Sequence, residues 1–359
     1  MKNNWLRTTI REFEPYQIPV IKESTVINAN ESPYNILEDF PAVKEDFLKN
    51  LASMPVYHYP DGYASKLRAA LADYVGRPTD NVLVGNGGDE IISLISNTFL
   101  NPGDTILIHT PTFDIYAIDA EVLGAKVVAV PDLPGYERDQ KTFLGKVKEL
   151  QPKITYLCNP NNPTGEILPL SYVEEVIEAA ENIVVIDEAY LEFANQDSII
   201  TKLDQYDNVI VIRTLSKAFG LAGARLGYGV AQKELIDALS LTKLVYNMNV
   251  LTQSLGLAAM AHGDEVLTHN IPPTIAAREY LVKELAKLPG ITPYRSVTNF
   301  VLVHVPDAKA MVQALCDADI CVRFYKAKDL ENCVRITVTT QDVMERVVAV
   351  FQKEVSRHA

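Results

Sequence analysis

Short apolar segments alternate with helical patterns between residues 82 and 230, and this alternation constrains the fold more than any other feature. It is typical of a mostly parallel sheet with helices on both faces. Amphipathic patterns at 89–100, 116–123 and 172–180 predict helices between the strands. The segments predicted as strands are 82–85, 105–109, 126–130, 154–158, 183–187, 209–213 and 226–230. We therefore expect an α/β fold built on a mostly parallel seven-stranded sheet flanked by helices.

The pattern changes after about residue 248, where longer helical segments lead into a second group of strands. Residues 251–261 and 274–287 are predicted helices, and a last helix is expected from Gln341 onward. The strand patterns here are 298–305, 320–324 and 333–338. We predict a smaller α+β domain. The expected division is an N-terminal arm (1–27), a large domain (28–248) and a small C-terminal domain (249–359).

The composition disfavours several classes of protein. The chain has 359 residues and a formal net charge of −13, which opposes binding to nucleic acid or to an acidic membrane surface. Its first residues lack the apolar core of a signal peptide, and no apolar run approaches the roughly 20 residues of a membrane span. The four cysteines show no Cys-x-x-Cys spacing and the six histidines are scattered, so we predict no metal site. Unpaired cysteines are typical of a cytoplasmic protein, which is the predicted location.

The segment 213–228 carries the strongest chemical signal. It follows a buried strand and holds Thr214, Ser216, Lys217 and Arg225 among three glycines. Open α/β sheets bind ligands at the carboxyl ends of their strands. A lysine between apolar segments is expected to be buried, and burial and the nearby Arg225 should lower its pKa and make it a nucleophile for carbonyls. Hydroxyls beside an arginine suit a phosphate. A carbonyl and a phosphate on one ligand suggest pyridoxal phosphate.

Other predicted strands end in residues that suit the same ligand. Asp187 ends a buried strand, where a carboxylate needs a partner, and a protonated pyridine nitrogen fits. Tyr190, three residues later, could reach the hydroxyl of that ring. The doubled asparagine of 158–165 leaves one amide free for the same oxygen, and Phe113 offers a stacking surface.

Two further motifs leave a structural and a functional interpretation open. The glycine-rich segment 85–90 could be a tight turn or an anion-binding loop at a helix N-terminus. It lacks the complete glycine fingerprint of a dinucleotide site and the lysine of a P-loop, which disfavours an NAD-linked dehydrogenase. Arg323 and Arg335 lie in predicted apolar strands, where an arginine either faces water at an edge or binds an anion.

Taken in order, these motifs resemble the fold-type-I, pyridoxal-phosphate-dependent aminotransferases, and within them the histidinol-phosphate aminotransferases. The shared motifs are Asn-Asn-Pro-Thr-Gly at 161–165, Asp-Glu-Ala-Tyr at 187–190, Ser-Lys-Ala-Phe-Gly-Leu-Ala-Gly-Ala-Arg at 216–225 and Val-Arg-Ile-Thr-Val at 334–338. The narrower resemblance depends on segments 28–34, 58–62, 87–90 and 298–302. Together they cover nearly the whole chain.

The resemblance implies a role for each matching residue. Lys217 would hold the cofactor covalently and then move the substrate's proton, Asp187 would pair with the pyridine nitrogen, and Phe113 would stack on the ring where the family more often has tyrosine. Asn162 and Tyr190 would bond the ring hydroxyl. The implied phosphate ligands are the backbone amides of Gly88 and Asp89 with Thr214, Ser216, Arg225 and, from a neighbouring subunit, Tyr59. The implied substrate residues are Arg335, for a carboxylate, with Tyr16, Asn30, Asn247 and Arg323.

The implied activity is transfer of the amino group of L-histidinol phosphate to 2-oxoglutarate by a homodimer. Three departures from the family pattern, at 246–249, 324–325 and 338–340, lie near the substrate side. They leave open a threonine-phosphate decarboxylase or an aromatic amino acid aminotransferase on the same framework. A ligand-binding module without catalysis is disfavoured, because Lys217 and Asp187 are both present.

Overall fold

The computed structural model describes residues 5–11, 13 and 21–357. In this part of the chain the strands are β1 Thr25–Ile27, β2 Val82–Asn86, β3 Thr105–Thr110, β4 Lys126–Pro131, β5 Ile154–Cys158, β6 Ile183–Asp187, β7 Val209–Thr214, β8 Leu226–Ala231, β9 Thr292–Pro293, β10 Phe300–His304, β11 Ile320–Phe324 and β12 Cys333–Thr337. The α-helices are α1 Ile36–Asp39, α2 Pro41–Ala52, α3 Ser65–Val75, α4 Gly88–Phe99, α5 Ile115–Leu123, α6 Gln140–Leu150, α7 Leu170–Ala179, α8 Lys233–Ser240, α9 Val250–Ala261, α10 Gly263–Leu285, α11 Ala308–Asp317 and α12 Gln341–Arg357.

The larger sheet has seven strands in the order β2-β8-β7-β6-β5-β3-β4. Neighbouring strands from β7 to β4 are parallel, whereas β8 runs antiparallel to both β7 and β2. The predicted α/β fold with a mostly parallel seven-stranded sheet is therefore confirmed. Because β3 to β7 point the same way, their carboxyl ends meet at one edge of the sheet.

Side chains of the central strands alternate between two buried faces, as the strand period of two requires. On β6, Val184 and Ile186 belong to one core and Val185 to the core on the opposite face. On β7, Val211 and Ile212 divide in the same way. Strands buried on both faces lack a polar side, which explains why the sequence shows them as continuous apolar runs.

The smaller sheet has the order β1-β11-β12-β10-β9. Strand β1 comes from the segment predicted as an arm, and it pairs in parallel with β11, with Thr25 opposite Ile320. This pairing ties the start of the described chain to its last third. Helices α11 and α12 and the second half of α10 cover the sheet, with Leu281, Leu315 and Phe351 fully buried in its core.

Helix α10 begins at Gly263, well before the predicted start at residue 274. The prediction placed the start too late because Pro272 and Pro273, which usually end a helix, lie inside it. Val266 packs in a core of the larger sheet, while Leu281 packs in the core of the smaller one. Burial at both ends maintains the helix through the prolines.

The division into 1–27, 28–248 and 249–359 stays a prediction. Helix α9 lies beyond residue 248, yet its Ala258 and Ala259 pack in the same core as Val43 and Leu67 of the larger unit. Because α10 then passes from one core to the other, we propose that the boundary lies within α10 and not before α9.

In residues 5–11, 13 and 21–357, no helix combines the length and the apolar character needed to cross a bilayer.

Candidate active site

A cavity of about 520 Å³ opens at the carboxyl ends of the parallel strands, facing the smaller sheet. Cys158, Asp187 and Thr214, which end β5, β6 and β7, form its floor. Arg323 of β11 and Arg335 of β12 lie on its other wall. The topology therefore brings together most of the residues that the sequence singled out.

Lys217 lies three residues beyond β7, and its Nζ donates a hydrogen bond to the carbonyl oxygen of Ala29 at 2.9 Å. The same nitrogen is 5.8 Å from the centre of the Tyr190 ring. Burial, and next the positive charge of Arg335, lower the pKa of Lys217 to about 8. Arg225, the expected cause, contributes less than Arg335. An amine with this pKa is partly neutral near pH 7 and is suited to attack a carbonyl.

Asp187 is held from two directions at the floor of the cavity. The hydroxyl of Tyr116 donates to its Oδ2 at 2.6 Å, and the backbone N–H of Ala189 donates to its Oδ1 at 3.0 Å. Burial raises the pKa of this carboxyl. A cation in the cavity would offset that cost and keep the aspartate ionised.

Tyr116 is a site residue that the sequence interpretation missed. It lies in the first turn of α5, is 1 % exposed, and stacks on Tyr156 with ring centres 4.5 Å apart. Phe113, which lines the cavity, meets the Tyr116 ring edge-on at 5.6 Å. The position looked like an ordinary core aromatic, and the signal that could have found it is the need of a buried Asp187 for a donor.

The segment around Gly88 and the segment that begins at the end of β7 line the cavity together. Gly88 and Asp89 open α4, so their backbone N–H groups belong to the free donors of the helix N-terminus. Thr214 and Ser216 are hydrogen-bonded to each other at 3.0 Å, and Arg225 donates to Asp89 at 2.9 Å. All five line the cavity. Two hydroxyls, an arginine and a helix N-terminus suit a phosphate.

Glycine is required where this site is most tightly packed. A Cβ on Gly87, whose φ is +84°, would lie 2.5 Å from a guanidinium nitrogen of Arg225. A Cβ on Gly227 would lie 2.3 Å from the carbonyl carbon of Gly87. The loop and β8 thus meet backbone to backbone. Packing thus accounts for these glycines, and the anion-binding interpretation of 85–90 depends on the free N–H groups at the start of α4.

Arg335 lies between the cofactor-side and substrate-side residues. Its guanidinium donates to Oδ1 of Asn162 and, at 2.8 Å, to the carbonyl oxygen of Asn28. The guanidinium carbon lies 5.2 Å from the centre of the Phe300 ring. Within the described residues, the buried Nε has no hydrogen-bond partner. The positive charge of an arginine at a cavity wall suits an anionic ligand.

Asn30 and Tyr190 form a hydrogen-bonded pair at the cavity. The Asn30 amide donates to the Tyr190 hydroxyl at 3.0 Å, and its backbone N–H donates to Thr337 Oγ1 at 2.9 Å. Asn30 adopts a φ of 57°, a left-handed conformation that asparagine tolerates better than most residues. Burial raises the pKa of the Tyr190 hydroxyl, which therefore stays protonated and can donate.

Two of the predicted residues, Tyr59 and Asn247, do not line the cavity of the same chain. Tyr59 is 79 % exposed and stacks on Tyr246 at 4.6 Å. The Asn247 amide donates to Glu90 at 2.9 Å, and its oxygen accepts from Lys243 at 2.9 Å, so this side chain supports the start of α4. Tyr16 lies outside the described residues. Within the described chain, no group of histidine, cysteine or acidic side chains is arranged to hold a metal.

Comparison with known proteins places this geometry in a family. Residues 23–351 match the family model described as aminotransferase class I and II. The histidinol-phosphate aminotransferase of Thermoanaerobacter pseudethanolicus is 39% identical over 97% of this chain and 98% of its own length.

Two solved structures share the fold. Histidinol-phosphate aminotransferase from Sinorhizobium meliloti, in complex with pyridoxal-5'-phosphate, superposes with a TM-score of 0.89 over 99% of this chain and 98% of that one, at 26% identity. The L-threonine-O-3-phosphate decarboxylase of Porphyromonas gingivalis has a TM-score of 0.80 over 92% of this chain and 99% of its own, but at 21% identity this likeness shows the fold alone. The chain belongs to the class I and II aminotransferases and, within them, to the family of the histidinol-phosphate aminotransferases.

Proposed function

We propose that this protein transfers the amino group of L-histidinol phosphate to 2-oxoglutarate with pyridoxal 5'-phosphate as cofactor. The observation that carries the proposal is one cavity in which a lysine of lowered pKa and a buried aspartate lie beside a site for an anion. Family membership supports the reaction class, and the names of the relatives support the amino donor and the cofactor.

The residues present fit the cofactor. Gly87 and Gly227 clear the backbone around an anion site whose donors are Thr214, Ser216 and Arg225. The buried acid at the floor is a suitable partner for a protonated ring nitrogen. We assign the ring hydroxyl to Asn162 and Tyr190, the ring face to Phe113, and the phosphate to the Gly88 and Asp89 amides with Thr214, Ser216 and Arg225.

When bound, the cofactor supplies an electron sink for the pair of electrons left behind as the substrate loses its Cα proton. Lys217 would hold the cofactor through its amine, and with the cofactor and substrate bound its Nζ would accept the Cα proton and return it. Asp187, oriented by the hydrogen bond from Tyr116, would pair with the pyridine nitrogen and keep it protonated. The depressed pKa of Lys217 makes the neutral base available.

The two substrates use the same cavity in turn, so we expect ping-pong kinetics. Arg335, which lines the cavity, would bind a carboxylate of 2-oxoglutarate or the phosphate of the amino donor through its positive charge. Arg323, on the same wall, would take the second anionic group of 2-oxoglutarate. Asn30, through its bond to Tyr190, shapes the space between them.

The functional unit in this proposal is a homodimer. Exposed apolar side chains in two segments support it, and Tyr59 of one segment stacks on Tyr246 of the other. They are Val56, Tyr57, Tyr59, Tyr63, Leu241, Leu244, Val245, Tyr246 and Leu251. Tyr59 would reach the phosphate of the partner's cofactor, as the resemblance implies. The cytoplasmic location stays a prediction, in keeping with four unpaired cysteines.

The test is a set of half-reactions with purified, cofactor-loaded protein. L-histidinol phosphate, O-phospho-L-threonine and an aromatic amino acid are each mixed with the protein, and the change in the cofactor's absorbance is followed. We expect the fastest change with L-histidinol phosphate and restoration of the spectrum by 2-oxoglutarate. Release of carbon dioxide from O-phospho-L-threonine would instead establish a decarboxylase.

A further inference from the structure

The segment between β11 and β12 forms part of the cavity mouth and carries one side chain that the assigned chemistry does not use. Asp329 lines the cavity, and its Oδ2 accepts a hydrogen bond from Thr110 Oγ1 at 2.9 Å. Its backbone carbonyl accepts from the Tyr136 hydroxyl at 2.9 Å. The next residue, Leu330, is 4 % exposed and packs with Leu302. An exposed carboxylate is thus held in place from both sheets.

Of the other carboxylates that line the cavity among the described residues, two are already paired. Asp89 is paired with Arg225 at the anion site, and Asp187 is bonded to Tyr116 at the floor. Asp114 opens α5 beside Phe113, on the side assigned to the cofactor ring. Asp329 therefore contributes a negative charge on the substrate side, where the arginines 323 and 335 also line the wall.

We propose that Asp329 determines substrate specificity by binding the imidazole ring of the amino donor in its protonated form. This inference rests on the proposed function, because L-histidinol phosphate carries both an anionic phosphate and a ring with a pKa of about 6.5. The arginines meet the phosphate, and a fixed carboxylate meets the ring N–H. Thr110 occupies one oxygen of Asp329, and a carboxylate retains acceptor capacity for further donors.

The same charge has the opposite effect on the second substrate. 2-Oxoglutarate carries two carboxylates and no cation, so a nearby carboxylate repels it. Asp329 therefore favours the amino donor over the amino acceptor within one cavity. A residue that only stabilised the segment would affect both substrates in the same direction.

The first test is Asp329→Asn, which keeps the shape and an oxygen for Thr110 but removes the charge. We expect kcat/KM for L-histidinol phosphate to fall about tenfold to hundredfold, as for the loss of a hydrogen bond between charged groups. For 2-oxoglutarate we expect kcat/KM to stay level or rise. The matched control is Glu331→Gln, which removes a negative charge from the same segment at an exposed position outside the cavity lining and should change neither value.

The second test is the pH dependence of the wild-type to D329N ratio of kcat/KM for L-histidinol phosphate. The ratio should widen as the pH falls from about 8 to about 6, because the donor's imidazole becomes charged in this range. The titration of Lys217 affects both proteins and cancels in the ratio. A direct binding measurement in the Lys217→Ala background, by calorimetry with L-histidinol phosphate, should show the same loss of affinity without turnover.

The assignment of Asp329 would be overturned if D329N lowered kcat/KM equally for both substrates, or did not lower it for L-histidinol phosphate. That outcome is distinct from failure of the proposed function, in which the wild-type protein itself neither binds nor turns over L-histidinol phosphate. Thr110→Val provides a further check, because it keeps the charge of Asp329 but removes the hydrogen bond that holds the carboxylate. We expect kcat/KM for L-histidinol phosphate to fall severalfold, which is less than in D329N, and kcat/KM for 2-oxoglutarate to stay unchanged.

Discussion

The two sides of the cavity differ in how their residues are brought together. On the cofactor side, Thr214, Ser216, Lys217 and Arg225 lie in one short segment that begins at the end of β7. On the substrate side, Arg335 is bonded to residues 173 and 307 positions away, Asn162 and Asn28. The cofactor side is built by strand ends, whereas the substrate side is assembled by tertiary contacts between the two sheets.

This difference determines which positions of the site tolerate substitution. Strands buried on both faces fix the positions of Asp187 and Thr214, and any change there disturbs two cores. Asp329 and Arg323 lie in or beside an exposed connection, where substitutions cost little stability. Reaction chemistry is thus carried by the rigid side and choice of substrate by the adaptable side. The following predictions test that division, in order of decreasing effect.

Removing the amine should have the largest effect. We expect Lys217→Ala to lower transamination at least about a thousandfold, because no other lysine lines the cavity among the described residues. The measurement is single-turnover conversion of L-histidinol phosphate. Circular dichroism and cofactor absorbance serve as controls for folding and retention of the cofactor. Near-normal conversion by this variant would contradict the division.

Removing the buried charge should come next. Asp187→Asn keeps the shape and an acceptor for Tyr116 but cannot stabilise a protonated ring nitrogen. We expect kcat to fall about a hundredfold to a thousandfold, the range found for loss of a preorganised electrostatic contact, with little change in KM. Steady-state kinetics with both substrates measure this. A change in KM alone would place Asp187 on the substrate side instead.

On the substrate side, Arg335→Gln should mainly raise KM. We expect an increase of about tenfold to hundredfold for both substrates, since each loses a charge-assisted hydrogen bond. Arg335→Lys is the matched control: it keeps the charge but not the planar fork, and should recover part of the affinity. If KM is unchanged in both variants, Arg335 does not bind an anionic group of either substrate.

The rate of cofactor loading should depend on pH through Lys217. The folded-state pKa of about 8 lies below the ordinary lysine value, so the neutral, reactive amine is gained as the pH rises through 8. We expect the loading rate of cofactor-free protein to level off above about pH 8 and to fall about tenfold per unit well below it. If the loading rate levelled off only near pH 10, burial would not lower the pKa of Lys217.

The smallest effect is expected from Tyr116→Phe, which removes the 2.6 Å hydrogen bond to Asp187. Loss of about 1–2 kcal/mol predicts a decrease of severalfold to about thirtyfold in cofactor affinity. Tyr156→Phe removes a neighbouring buried hydroxyl that is not bonded to Asp187 and should leave affinity unchanged. If the two variants had equal cofactor affinity, Tyr116 would have no specific role in orienting Asp187.

The cofactor side was largely predictable from the sequence because its signals are local. Apolar runs that end in Asp187 or lead into Lys217 show both the strand and the residue at its end. Tyr116 was missed because a tyrosine on the buried face of a helix resembles any core aromatic, and its hydroxyl has meaning only once Asp187 is placed opposite.

The substrate side was less predictable because its contacts join distant segments. Nothing in the sequence indicates that Thr110 and Asp329 meet, since Thr110 ends β3 and Asp329 lies 219 residues away in the segment between β11 and β12. Asn247 was assigned to the substrate by resemblance, yet its amide is bonded to Glu90 near the anion site. The length of α10 was underestimated for a related reason: burial in two cores outweighs its two prolines.

The most direct test of the central claim is to trap the cofactor on the protein. Protein loaded with pyridoxal 5'-phosphate is reduced with sodium borohydride, digested and analysed by mass spectrometry. The account predicts a reduced adduct on Lys217, in a protein whose D187N variant forms the same adduct but turns over far more slowly. An adduct on another lysine, or none, would contradict it.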